Sequence, residues 1–82
     1  MKYIIYEENG LELPLVFPEG IKHFDIVCAI RQKVVSAGFC NVRSSTDGGE
    51  DVWIAHGKST GLCLESRPQD NAILTKMMNF RW

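Results

Sequence analysis

The sequence predicts an α+β domain in which an N-terminal hairpin and a three-stranded meander supply an antiparallel sheet, with two helices packed on it, in the order ββαβββα. Three observations predict it. Two apolar runs flank Asn9-Gly10, a dipeptide favoured in tight hairpin turns. Apolar residues recur at helical spacing from Phe24 to Val35. A second helical stripe follows Ser66, beyond a stretch of strand-like segments. A chain of 82 residues has surface for one core only, so residues 1–82 are read as a single domain.

Residues 2–7 and 11–17 are rich in Tyr, Ile, Leu, Val and Phe, and Asn9-Gly10 supplies both positive-φ positions of a type I′ turn. That turn pairs Tyr6 with Leu13 and Ile4 with Leu15, which places Ile4, Tyr6, Leu13, Leu15 and Phe17 on one face, the expected core face. Pro14 has no N–H to give a ladder, so the second strand belongs at a sheet edge or must turn its proline nitrogen away from a neighbour. Pro18-Glu19-Gly20 ends the hairpin.

From Lys22 to Ala37 the residues Phe24, Val27, Cys28, Ile30, Val34 and Val35 fall at three- and four-residue steps. With Asp25 in the first turn and Gly38 as C-cap, this predicts one helix. Phe39–Ser45 and Asp51–His56 read as strands around Asp47-Gly48-Gly49, a three-residue loop with a G1 bulge. That register pairs Val42 with Ile54, Cys40 with His56 and Arg43 with Trp53. A two-residue Asp-Gly turn would put Arg43 on the face of Val52 and Ile54, so the longer loop is preferred. A turn at Gly57-Lys58-Ser59 returns the chain through Thr60–Glu65, setting Leu62 opposite Ile54 and Leu64 opposite Val52. Ser66-Arg67-Pro68-Gln69 has the form of a capping box, reinforced by Asp70. The helix it opens carries Ile73, Met77 and Phe80 on one stripe, widened by Leu74 and Met78, as far as Trp82.

A hydrophobic share of 45% with 23% charged residues lies within the range of chains that fold. The run Tyr3-Ile4-Ile5-Tyr6 meets Glu7-Glu8 and is too short for a signal peptide or a membrane span, so a cytoplasmic protein is expected. Cys28, Cys40 and Cys63 are odd in number and unclustered, which points to reduced thiols and away from a disulfide framework. The net charge of −1 hides zoning: residues 1–20 and 46–51 are acidic on balance, while 21–45 and 52–82 are basic. This is too mild to imply nucleic acid by charge alone.

Gly57-Lys58-Ser59-Thr60 matches the end of a P-loop, but Val52 stands where its first glycine is required and no strand-loop-helix frame surrounds it. No cofactor and no metal is expected, since the cysteines and His23 and His56 show no zinc-ligand spacing. Cys40 opposite His56 would make a thiol nucleophile with its base, yet no orienting group or oxyanion donor is identifiable. The sequence therefore points to a non-enzymatic protein, with a minimal Cys40–His56 thiol enzyme as the alternative. Arg31 falls inside the helical apolar stripe, where it must reach water along its stem, meet a carboxylate or contact an anionic partner.

The expected registers place Phe39, Arg43 and Trp53, with Tyr3, Ile5 and Val16, on the sheet face opposite the core. Either the second helix covers this apolar surface or it binds a partner or a second copy of the chain. A small domain also gains from a second subunit, so a homodimer is expected. A further reading is a single-stranded nucleic-acid binder acting through Arg43, Trp53 and Lys58.

Phe17-Pro18-Glu19, Ser36-Ala37-Gly38-Phe39 and Ser66-Arg67-Pro68-Gln69-Asp70 together resemble small uncharacterised proteins carried by bacteriophages and prophages. These segments are a strand end, a helix cap and a helix start, so no functional residue transfers with them. The resemblance implies an accessory protein that acts by binding a host or phage component as an inhibitor or regulator.

Overall fold

A computed structural model describes residues 1–44, 49 and 51–79. Of the expected loop Asp47-Gly48-Gly49, Asp47 and Gly48 lie outside the described residues, as do Phe80 and the expected helix end at Trp82. The protein is α+β. Its elements are β1 (Lys2–Glu8), β2 (Leu11–Phe17), α1 (His23–Ile30), β3 (Lys33–Arg43), β4 (Val52–His56), β5 (Lys58–Ser59), β6 (Leu64–Glu65) and α2 (Asp70–Met78). Four strands form an antiparallel sheet in the order β2-β1-β3-β4, and β5 and β6 pair as a separate ribbon.

The hairpin forms as its turn chemistry requires. Asn9 and Gly10 take φ of 52° and 80°, and the ladder pairs Tyr6 with Leu13 and Ile4 with Leu15. β2 is an edge strand, where Pro14 costs no sheet hydrogen bond. β1, however, is central, and Tyr3, Ile4 and Ile5 are all fully buried. An unbroken apolar run is what a strand covered on both faces shows. On one face Tyr3, Ile5 and Cys40 pack against Leu74 of α2, with Val16, Val35, Trp53, Ala55 and Ile73 around them. On the other, Ile4, Phe17 and Ala37 meet Ile26 and Ile30 of α1 and Leu62 and Leu64 of the β5–β6 ribbon. The sheet is thus the middle layer of three, with two cores.

The first helix is shorter than its periodicity predicts. Arg31 adopts a left-handed conformation (φ 57°) and its N–H closes the helix on the Val27 carbonyl, after which Lys33–Ala37 enter β3. β-Branched Val34 and Val35 suit a strand, and β3 is needed to satisfy β1 and β4 at once. A shift at Ile5/Tyr6 lets both Val34 and Val35 find a core. Gly38 is not a C-cap but a strand residue. A Cβ there would lie 2.7 Å from the His56 carbonyl oxygen, so β3 and β4 meet this closely only because the position is glycine.

Three further expectations are corrected. β3 and β4 pair Arg43 with Val52, Val42 with Trp53 and Cys40 with Ala55, one residue away from the expected register. The segment after Gly57 does not join the sheet beside β4 but folds back as the β5–β6 ribbon. Ser66 does not cap α2. The helix begins at Asp70 without a side-chain cap, and Met77 and Met78 are exposed while Leu74 is fully buried.

α2 takes the place that a fifth strand would have filled. The outer edge of β4 presents backbone groups at alternate residues, and side chains of α2 meet them. The Trp53 N–H donates to Thr75 Oγ1 (2.9 Å), the Ala55 N–H to Asn71 Oδ1 (2.7 Å), and Asn79 Nδ2 donates to the Asp51 carbonyl (2.7 Å). Four helical residues rise about 6 Å and two strand residues about 6.8 Å, so positions four apart on the helix keep step with alternate strand residues. This closes an edge that would otherwise invite another chain. The start of α2 is held by a buried network: the Tyr3 hydroxyl donates to Asp70 Oδ2 (2.5 Å), and Arg67 bridges Asp70 (2.9 Å) and Glu12 (2.8 Å). Asp70 is wholly buried, and these donors take the place of the water its oxygens lose.

Candidate functional site

The residues expected to form one binding face do not assemble. Tyr3, Ile5, Val16 and Trp53 do share a face of the sheet, and α2 covers it. Tyr3 is fully buried, and burial, then its hydrogen bond to Asp70, raises its hydroxyl pKa far above the ordinary tyrosine value. The covering surface foreseen for Trp53 is therefore α2, whose Thr75 bonds both its N–H and its carbonyl. Phe39 and Arg43 point to the opposite face, because the one-residue change of register reverses their parity relative to Trp53. Cys63, which the expected pairing of Leu62 with Ile54 and Leu64 with Val52 sets opposite Trp53, lies in the β5–β6 connection with φ 55°.

The thiol dyad does not form either. His56 pairs with Phe39 and Cys40 with Ala55, so the two side chains leave opposite faces of the sheet. Cys40 is buried, which pushes its thiol pKa up, the reverse of what a nucleophile needs. Among the described residues no three His, Cys, Asp or Glu side chains converge to hold a metal ion. Arg31 stands exposed at the C-terminal end of α1. Lys58 and Ser59 belong to a strand, with no P-loop frame around them.

A different surface gathers chemistry. On the α1 side, the start of β1, the first turn of α1, β3 and the β5 turn enclose an open groove of about 300 Å³. It is lined by Lys2, Lys22 and Lys58, by the rings of His23, Phe24 and Phe39, and by Ser59, Thr60 and Gly61. Among the described residues no carboxylate is in the lining. Lys2 Nζ donates to the Ile21 carbonyl (3.0 Å), which ties the first strand to the approach to α1. His23 is fixed by a 2.8 Å bond between Nε2 and the Gly38 carbonyl, with edge contacts to Phe17 (5.3 Å) and Phe39 (5.9 Å). His56 stacks on Phe39 at 6.0 Å and 22°. This row of rings is a wall carried by three strands and a helix. Phe24 alone of the groove rings is mostly in water, at 58% exposure.

Lys22 is the signal that sequence reading passed over. It occupies the N-cap of α1 with extended φ and ψ of −77° and 142°, the geometry from which Ser, Thr, Asp or Asn would accept a backbone N–H, and it makes no side-chain cap. It also adds positive charge to the positive end of the helix dipole. Both effects disfavour the helix, and residues that break a local rule collect at functional sites. The same two effects attract an anion. Lys58 is tempered by Glu65, its partner across the β5–β6 ladder, which lines the adjoining hollow.

Among the described residues no helix is long and apolar enough to cross a membrane. Comparison with known proteins finds no matching family model, no matching curated protein and no matching solved structure.

Proposed function

We propose that this chain is a small non-enzymatic binding protein whose recognition surface is the groove of Lys2, Lys22 and Lys58, and whose partner is anionic. One observation carries the reading: among the described residues three lysines and no carboxylate converge on a groove in a chain whose net charge is −1. The molecule as a whole does not draw anions, so attraction must come from this local field, which acts over a Debye length of about 8 Å at physiological salt. The reading keeps the class expected from the sequence, a binding or regulatory protein, and moves its surface from the face now under α2 to the α1 side.

Calorimetric titration with inorganic tripolyphosphate tests it. The expected result is saturable binding to the wild type that is lost in the double variant Lys22→Glu/Lys58→Glu and kept in Arg31→Glu and Arg43→Glu. No binding to the wild type, or binding indifferent to the groove reversal, would refute the proposal.

A further inference from the structure

Resting on the groove reading, we infer that the occupant is a single strand of nucleic acid, held by base stacking on Phe24 and by lysine contacts to its phosphates. Two features narrow the anion to this class. Phe24 stands at the rim of the groove and makes none of the ring contacts that join Phe17, His23, Phe39 and His56. An exposed apolar ring among cations is a platform on which any unpaired base can stack.

The cations are all lysines, while Arg31, Arg43 and Arg67 lie outside the lining. Arginine's planar fork meets carboxylate and phosphate alike, and a lysine ammonium meets either as a point charge, so the lysines fix the sign of the occupant's charge and Phe24 its class. An acidic polypeptide has no flat bases for Phe24 to stack and is the poorer fit.

The groove also does not close. Lys58, Ser59 and Thr60 line both it and a neighbouring hollow of about 350 Å³. A chain-like ligand has a path past Lys58 that a small isolated anion would not use. A duplex keeps its bases stacked on one another and offers Phe24 nothing.

Fluorescence anisotropy with labelled oligothymidylate tests the inference. If each lysine neutralises one phosphate, affinity falls roughly twentyfold between about 50 and 200 mM salt, from the single-strand dependence of about −0.7 per contact. Phe24→Ala should weaken binding about tenfold, as loss of one stacked base does. Lys22→Glu/Lys58→Glu should abolish it, Glu65→Gln should tighten it, and Arg43→Ala should leave it unchanged. All these side chains are exposed, and circular dichroism of each variant confirms folding.

Oligothymidylate that fails to bind while tripolyphosphate binds overturns the single-strand inference and leaves the groove reading standing. Competition by polyglutamate equal to that by oligothymidylate, or unchanged affinity in Phe24→Ala, overturns it as well. If neither oligothymidylate nor tripolyphosphate binds, both readings fall.

Discussion

Replacing Lys22 by aspartate should make the protein more stable and less able to bind. The backbone at position 22 already has the extended N-cap conformation, and no side chain now accepts the first free N–H groups of α1. A good N-cap is worth about 1 kcal/mol over a poor one. Exchanging a positive for a negative charge at the positive end of the dipole adds roughly 0.3–1 kcal/mol. Together these give about 1–2 kcal/mol, which for a domain of this size raises the melting temperature by roughly 5–10 °C. Thermal and urea melts measure the gain, and tripolyphosphate titration of the same sample measures the loss. Lys22→Ala separates the contributions, since it removes the charge without supplying a cap and should show the binding loss with little of the stabilisation. An aspartate variant that is less stable than the wild type would show that Lys22 serves the fold, and unchanged anion affinity would remove it from the site.

Other consequences concern the frame that holds the groove. Thr75→Val keeps the shape of α2 but strands the Trp53 N–H, and should cost about 1–3 kcal/mol and speed hydrogen exchange at Trp53 and Ala55. Arg31→Gly relieves a left-handed residue at the end of α1 and should stabilise by about 1 kcal/mol in a denaturant melt. Ser36 Oγ is buried with no hydrogen-bond partner among the described residues, so Ser36→Ala should be neutral or stabilising by up to about 1 kcal/mol in the same assay. Stability should fall on the alkaline side. Burial raises the Cys40 thiol, and burial with the Asp70 hydrogen bond raises the Tyr3 hydroxyl, so the folded state keeps protons that the unfolded chain releases from about pH 8.5 and pH 10 respectively. The melting midpoint should drop in that order, with the second limb flattened in Tyr3→Phe.

The hairpin was legible because Asn9-Gly10 permits little else, and β2 at the edge followed from Pro14. The second face of β1 was read only as a choice between cover by the second helix and a partner surface, although Tyr3-Ile4-Ile5 is the continuous apolar run of a doubly covered strand. The end of α1 was hidden because Val34 and Val35 continue the helical spacing, and only their β-branching and the demands of a central strand mark them as β3. The one-residue error in the β3–β4 register came from keeping Arg43 away from the face of Val52 and Ile54. That face is open at its end, Val52 being exposed, so the segregation it assumed is not required. That single step carried Phe39 and Arg43 off the Trp53 face and joined Cys40 falsely to His56. The spacing of Asn71, Thr75 and Asn79 was in plain view as a polar stripe, but its role depends on a β4 edge that sequence could not place. The groove depends on Lys2, Lys22 and Lys58, which lie far apart in the chain and meet only through the crossing of α1 and the fold-back of the ribbon.

The central claim is that recognition belongs to the α1 side of the sheet and that α2 closes the other. Hydrogen exchange of the wild type with and without saturating tripolyphosphate tests it directly. Added protection should fall at Lys22–Asp25 and Lys58–Gly61, with Trp53–Ala55 and Asn71–Asn79 unchanged. Protection concentrated in β4 and α2, with none at the groove, would contradict the account.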